Sequence, residues 1–146
     1  MPLRPPFHKQ ETPASCLPAC LRMIFASYGL VIEEAEIRKA CDCTLFGAYA
    51  LNAVDAARAF GFIGTNKHTL SFRDLLRVVT DGANPIVLVS LKPIDGIRQT
   101  HAVIVVDATE NSVTVLDPMK GERALATTVF RAAWALQHSI AIIIAR

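Results

Sequence analysis

The residue best suited to chemistry is Cys16, in the stretch QETPASCLPACLRMIFASYG at residues 10–29. From Ser15, a favourable N-cap residue, to Gly29, a favourable helix end, apolar side chains recur every three or four residues, which predicts an amphipathic helix with Cys16 in its first turn. The unpaired N–H groups and the positive dipole end of a helix N-terminus stabilise a thiolate. We therefore expect a reactive thiol at residue 16.

A nucleophilic thiol needs a base, and the base needs a group that orients it. Among the four histidines, His101 stands out because it begins the strongly apolar run HAVIVVDA, where a polar ring must find a buried partner or face a cleft. If this strand turns at Thr109 and returns as SVTVLD, Asp117 lies opposite His101 on the same face. The sequence therefore predicts an imidazole–carboxylate pair.

These residue types together predict acyl transfer. The thiolate of Cys16 attacks a peptide carbonyl, His101 takes the thiol proton and later protonates the leaving amine, and Asp117 orients the ring. The developing oxyanion needs hydrogen-bond donors. The backbone N–H of Cys16 is one candidate, and the side-chain amide of Gln10, six residues upstream, is the second.

Structural interpretations of the same residues stay open. Cys16 can be a small core residue, as we expect for Cys20, and His101 can be a core histidine. Asp117 precedes Pro118 and can act only as a turn former, and Gln10 can be a solvated loop residue. Phe130 and Trp134, at helical spacing, are expected in the core.

The four cysteines also allow a metal site or disulfides. Their spacing differs from that of the usual zinc knuckles, and a chain with this much apolar sequence does not need disulfides. We therefore expect no metal and no cofactor. The cysteines concerned are Cys16, Cys20, Cys41 and Cys43.

The elements that must position these residues change in character along the chain. Helical spacing predicts further helices at residues 33–41 and 48–60, at residues from 71 to just before DGANP, and at residues 127–136. Ser71 and Asp74 resemble a capping box at the start of the helix before DGANP. Four β-branched runs are predicted to form strands: PIVLVSL, HAVIVVDA, SVTVLD and SIAIIIA.

The predicted fold is a single α+β domain over residues 1–146, with N-terminal helices packed on a C-terminal antiparallel sheet. Apolar residues make up 52% of the chain and charged residues 19%, a balance that predicts one compact core. Both alternating faces of residues 101–106 are apolar, so we expect the sheet to be covered on both sides, with helices on at least one.

Charge and hydropathy exclude several classes of partner. The net charge is +2 and the basic residues are scattered, so we expect no nucleic acid partner. No apolar run approaches the ~18 residues needed to cross a bilayer. Residues 1–10 lack the apolar segment of a secretory signal, so we expect a reducing, cytoplasmic location.

The chain resembles the papain-like leader peptidases of bacteriocin processing, family 39 of the cysteine peptidases, which often form the N-terminal domain of peptide-exporting ABC transporters. The resemblance rests on QETPASCLPACLRMIFASYGL, AARAFGF, NPIVLVSL and HAVIVVDATENSVTVLDPMKG. It implies a papain-like fold, with Gln10 as oxyanion donor, Cys16 as nucleophile, His101 as base and Asp117 as orienting acid.

The same resemblance implies a substrate and a partner. Family members cut a leader peptide after two glycines and are usually joined to membrane and ATPase domains. For this chain we expect one of three situations: it works in trans with a membrane exporter at the inner face of the membrane, it is an excised domain, or it has a different substrate. Ser15-Cys16-Leu17 stands where the family usually has Asp-Cys-Gly, so we expect Leu17 to change the groove for small substrate residues. Two alternatives are a non-catalytic leader-binding module of the same fold, and a thiol acyltransferase or amidase using the same triad.

Overall fold

The computed structural model describes residues 4–146, so the first three residues of the segment considered for a secretory signal lie outside it. Within this range three helices come first, and six strands with three further helices among them form the rest of the chain. In chain order they are α1 (Cys16–Ser27), α2 (Glu34–Ala40), α3 (Ala50–Ala59), β1 (Asn66–Thr69), α4 (Phe72–Thr80), β2 (Ile86–Ser90), α5 (Lys92–Asp95), β3 (Thr100–Ala108), β4 (Ser112–Asp117), β5 (Gly121–Ala126), α6 (Thr127–Ala135) and β6 (Ile140–Ile143).

One six-stranded antiparallel sheet joins all the strands, in the order β1-β6-β2-β3-β4-β5. The four predicted strands form its centre and the predicted helices are present, which confirms the α+β arrangement. The sequence prediction omitted β1, β5 and the short helix α5. Both omitted strands lie at sheet edges, and neither NKHT nor GERALA has the continuous β-branched composition on which strand prediction depends.

Helices cover both faces of the sheet, as the apolar faces of residues 101–106 predict. On one face, α1, α2 and α3 pack around Leu21, Phe25 and Ile104. On the other, α4 and α6 contribute Leu75, Phe130 and Trp134 to a second apolar cluster. The core positions predicted for Cys20, Phe130 and Trp134 are confirmed by their burial.

The ends of two helices test the predicted caps. Gly29 follows α1 with φ of +85°, a conformation that suits glycine and ends the helix. The side chain of Ser71 accepts a hydrogen bond of 3.1 Å from the Asp74 N–H, which confirms the cap of α4. Ser15 occupies the N-cap position of α1, but its side chain makes no cap hydrogen bond.

Ser15 instead closes a tight turn in front of α1. Its hydroxyl oxygen accepts a hydrogen bond from the Thr12 N–H and donates to the Thr12 carbonyl, each at 3.0 Å. Ser15 is therefore at the predicted N-cap position, but its hydroxyl hydrogen-bonds to the preceding turn and not to the N–H groups of the helix. The result is a fixed approach of the chain to Cys16.

Candidate active site

Cys16 is the first residue of α1 and is half-buried. One turn further along α1, the Cys20 thiol donates to the carbonyl of Ala102 on β3 at 3.6 Å. Ala102 directly follows His101, so this contact holds the N-terminus of α1 against the start of β3. The thiol of Cys16 and the ring of His101 are thereby brought to the same end of the sheet.

His101 and Asp117 form the predicted pair, with His101 Nε2 donating to Asp117 Oδ1 at 2.7 Å. The predicted register is wrong by two residues, because β3 pairs Ile104 with Leu116 where a turn centred on Thr109 would pair it with residue 114. The cause is a later turn combined with an irregularity between Val105 and residue 107. A shift by an even number of residues leaves side chains on the same face, so the pair survives.

Asp117 is buried and charged. Burial raises the pKa of its carboxyl, but hydrogen bonding and charge from His101 outweigh burial, and the Met119 N–H and Arg123 lower the pKa further, so that it lies below its usual value. The Met119 N–H donates to Oδ1 at 2.8 Å, and Arg123 donates to Oδ2 at 3.2 Å. The Asp117 carbonyl also accepts from the Lys120 N–H at 3.1 Å, so the residue forms a turn as well.

His101 is 1% exposed. Burial lowers its pKa, but the Asp117 carboxylate and then the Cys16 thiol raise it, to about 9. Nδ1 of the ring has no hydrogen-bond partner among residues 4–146. With Nε2 occupied by Asp117, Nδ1 is the ring nitrogen left for the thiol. Active-site hydrogen bonds are commonly incomplete without substrate.

Gln10 lies beside the Asp117 turn, because its backbone N–H donates to the Pro118 carbonyl at 2.8 Å. Its side chain is buried, so the solvated-loop interpretation is wrong. Nε2 donates to the carbonyls of Thr12 and Pro13 at 2.8 and 3.2 Å, and Oε1 has no partner within residues 4–146. The amide therefore supports the loop that leads to Cys16.

Three residues that the sequence did not single out support this site. Arg123 contacts Asp117 and forms a pair of hydrogen bonds with Asp95, at 2.7 and 3.0 Å. Glu34, fully buried at the start of α2, accepts a hydrogen bond of 3.0 Å from the Glu11 N–H and pairs with Arg38. The Glu34–Arg38 pair has the i,i+4 spacing that is common on helices, so it does not mark a site in the sequence. Arg123 and Asp95 are 28 residues apart, so no local pattern joins them.

A groove of about 540 Å³ lies next to the loop before Cys16. Leu17 is 3% exposed, packs in the core and does not line this groove, which argues against the expected effect of Leu17 on the groove. The Leu17 side chain belongs to the buried face of α1. The groove is lined by Thr12, Pro13, Ala14, Arg38, Cys43, Thr44 and Leu45.

Solved structures share this fold over nearly the whole chain. A double-glycine-motif protease from an AMS/PCAT transporter, solved in complex with the leader peptide, has a TM-score of 0.80 at 20% identity, covering 97% of this chain and 91% of its own. The peptidase domain of Streptococcus ComA, a bi-functional ABC transporter involved in a quorum-sensing pathway, has a TM-score of 0.80 at 22% identity, covering 99% and 100%. The peptidase domain of Streptococcus mutans ComA has a TM-score of 0.67 at 20% identity, covering 96% and 98%. The papain-like fold expected from the resemblance is confirmed.

The sequence itself identifies the family. Comparison with curated proteins finds no match. The sequence profile of the Peptidase C39 family matches residues 4–146. The chain therefore belongs to the Peptidase C39 family and is a cysteine peptidase.

Proposed function

We propose that the chain cleaves peptide bonds with Cys16 as nucleophile, His101 as base and Asp117 as orienting acid. The observation that carries the proposal is the 2.7 Å contact between His101 Nε2 and Asp117 Oδ1, which leaves Nδ1 for Cys16. A pKa of about 9 means that the imidazole of His101 holds a proton at neutral pH. In the proposed mechanism this imidazolium later protonates the leaving amine.

The proposed reaction has two stages. The Cys16 sulfur attacks the peptide carbonyl, and the proton on His101 Nδ1 passes to the leaving amine, which gives a thioester and a free amine. Water then attacks the thioester while His101 takes a proton from the water, and the proton returns to sulfur as the acid product leaves. Asp117 holds the ring orientation throughout.

Two donors are proposed for the oxyanion. The backbone N–H of Cys16 lies in the first turn of α1, where backbone N–H groups have no intrahelical partner. The second donor is Gln10 Nε2. Because both its hydrogens contact the carbonyls of Thr12 and Pro13, one of them must be shared with the oxyanion when substrate binds.

The proposed substrate is a leader peptide cut after two glycines. Support comes from the fold shared with a double-glycine-motif protease solved with its leader peptide, and from the groove next to the loop before Cys16. We further propose that residues 1–146 act as one domain in trans with a peptide-exporting ABC transporter at the inner face of the membrane. Similar folds serve as peptidase domains of such transporters. Among residues 4–146, no helix is long and apolar enough to cross a bilayer.

Alkylation tests the triad without a substrate. Cys16 should react with iodoacetamide well before the other three cysteines: burial raises the pKa of the Cys20 thiol and raises that of Cys41 to about 12. His101→Ala should slow the Cys16 reaction at least tenfold, whereas His138→Ala, at an exposed position, should not. Equal labelling of all four cysteines, or an unchanged rate in His101→Ala, would contradict the triad.

A peptide with two glycines before the cut then separates hydrolysis from acyl transfer. The acid product should dominate, by mass spectrometry, in the presence and absence of an added amine. A product joined to the amine would instead indicate an acyltransferase.

A further inference from the structure

Both oxygens of the Asp117 carboxylate have fixed partners. Oδ1 accepts from His101 Nε2 at 2.7 Å and from the Met119 N–H at 2.8 Å. Oδ2 accepts from the Arg123 guanidinium at 3.2 Å. The carboxylate therefore cannot rotate without losing a hydrogen bond from a charged group, and Arg123 provides the only such bond on Oδ2 among residues 4–146.

The sheet places Arg123 where it can reach this carboxylate. β4 and β5 pair Asp117 with Gly121 and Val115 with Arg123, so Arg123 is the diagonal neighbour of Asp117. A diagonal pair on one face is within reach of a long side chain. The side chain crosses the face toward the end of α5.

Asp95, at the end of α5, holds Arg123 in this position. Its two oxygens accept from Arg123 at 2.7 and 3.0 Å, the two-point geometry that arginine forms with a carboxylate. The side chains of Arg123 and Asp95 are 22% and 16% exposed, so water only partly competes for the pair. Asp95 also balances the guanidinium charge, which limits competition between Arg123 and His101 for Asp117.

We propose that Arg123, held by Asp95, is a positioning residue for the catalytic pair: it fixes the rotation of the Asp117 carboxylate and thereby the orientation of the His101 ring. The proposal rests on the proposed function, since the ring orientation matters to catalysis only if His101 is the base. Arg123 acts through Asp117 and does not itself touch the reacting atoms.

Two roles of Arg123 predict opposite effects on His101. If Arg123 positions the carboxylate, its loss frees Oδ2, loosens the contact between Oδ1 and His101, and lowers the His101 pKa. If Arg123 only competes for the charge of Asp117, its loss strengthens the pair and raises that pKa. Among the other titratable groups, Cys16 on α1 acts on His101, while Cys20 on α1 and Asp95 on α5 interact with Asp117. Lys120, in the turn after β4, acts on Asp95.

The test is an NMR titration of the His101 ring combined with kinetics. In the Cys16→Ala background, which removes the thiol, Arg123→Gln should lower the His101 pKa by about one unit, because a neighbouring opposite charge contributes one to three units when well placed. With the thiol present and a double-glycine leader peptide as substrate, Arg123→Gln should lower kcat by about 10- to 100-fold, with KM changed less than about twofold.

Conservative and control variants separate positioning from folding. Arg123→Lys keeps the charge and should recover part of kcat, and Asp95→Asn should lower kcat less than Arg123→Gln does. Arg77→Gln removes another arginine–aspartate ion pair, with Asp74, and should change neither kcat nor the His101 pKa. Thermal unfolding of each variant gives the folded fraction, and a loss of folded protein alone does not move the His101 pKa of the molecules that remain folded.

The outcomes distinguish the two proposals. An unchanged or raised His101 pKa together with an unchanged kcat in Arg123→Gln would overturn the positioning role while leaving the triad intact. Full activity in His101→Ala would overturn the triad, regardless of the results for Arg123→Gln. The ring titration needs no substrate, so it remains informative even if the double-glycine peptide is not cut.

Discussion

Two buried side-chain atoms lack hydrogen-bond partners within residues 4–146, Gln10 Oε1 and His101 Nδ1, and both lie in the candidate active site. Buried polar atoms are nearly always paired in native proteins, so two unpaired atoms in one place indicate groups that await a partner. His101 Nδ1 has the Cys16 thiol as its proposed partner. Gln10 Oε1 faces no donor, which suits an amide that changes its contacts when substrate arrives.

Gln10 has two roles that kinetics can separate. Its amide braces the loop before Cys16 in the present structure, and we propose that it also donates to the oxyanion. Gln10→Ala should lower kcat by about 100- to 1,000-fold with little change in KM, the cost expected when one oxyanion donor is lost. Steady-state kinetics on a double-glycine peptide measure both.

Gln99→Ala is the matched control, because Gln99 is exposed, and it should leave both constants unchanged. If Gln10→Ala raises KM and leaves kcat intact, the amide serves only to shape the loop and the groove. A kcat of Gln10→Ala equal to that of the parent protein, at the same folded fraction, would contradict the oxyanion role.

At the scale of elements, α1 joins the site to the core. Its first residue is Cys16, the proposed nucleophile, while the next side chain, Leu17, packs in the apolar cluster between the helices and the sheet. The contact between Cys20 and Ala102 fixes the helix against β3. The position of the Cys16 thiol therefore depends on the packing of Leu17, the next residue, and of Cys20, one helical turn further on.

Truncating Leu17 tests this division. Leu17→Ala should lower the free energy of unfolding by about 2 to 5 kcal/mol, because it leaves a cavity in the core. It should not change the preference for glycine over larger residues before the cut, since Leu17 does not line the groove. Urea unfolding and competition between two peptides measure the two effects.

Leu136→Ala, at a position 57% exposed, should cost little stability and serves as the control. A shift in substrate preference in Leu17→Ala without loss of stability would mean that the side chain contributes to the groove after all.

At the scale of the whole molecule, the buried pair makes stability depend on pH. The pKa of His101 rises from an ordinary 6.5 to about 9 on folding. A raised pKa stabilises the folded state fully below pH 6.5, and this contribution is lost as the pH rises through 9. The lowered pKa of Asp117 has the opposite sign, and its contribution is lost as the pH falls through the folded value.

We therefore expect the free energy of unfolding to fall between pH 6.5 and 9, by on the order of 3 kcal/mol for His101 alone. His101→Gln should remove this dependence, and His138→Gln, at an exposed position, should keep it. Urea unfolding at several pH values provides the measurement. The same slope in His101→Gln and in the parent protein would show that the pair does not stabilise the fold.

The type and the chain order of most helices and strands can be predicted from the amino-acid sequence alone. Helical spacing in the first half and β-branched runs in the second predicted the layers, and a cysteine at a helix N-terminus, a histidine opening a strand and Asp-Pro ending the next predicted which residues meet. These signals are local, because each depends on residues within one or two turns of a helix or one strand.

The strand register, the edge strands and the ion pairs around Asp117 are visible only in the folded structure. The irregularity between Val105 and residue 107 set the register, pairing with β4 and β6 created the edge strands, and distant contacts brought Arg123 and Asp95 to Asp117. None of these has a local signature, because backbone pairing and ion pairs between residues far apart in the chain depend on which surfaces the folded core brings together. The sequence predicts which residues form the candidate site, and the packing of helices and strands sets the orientation of their side chains.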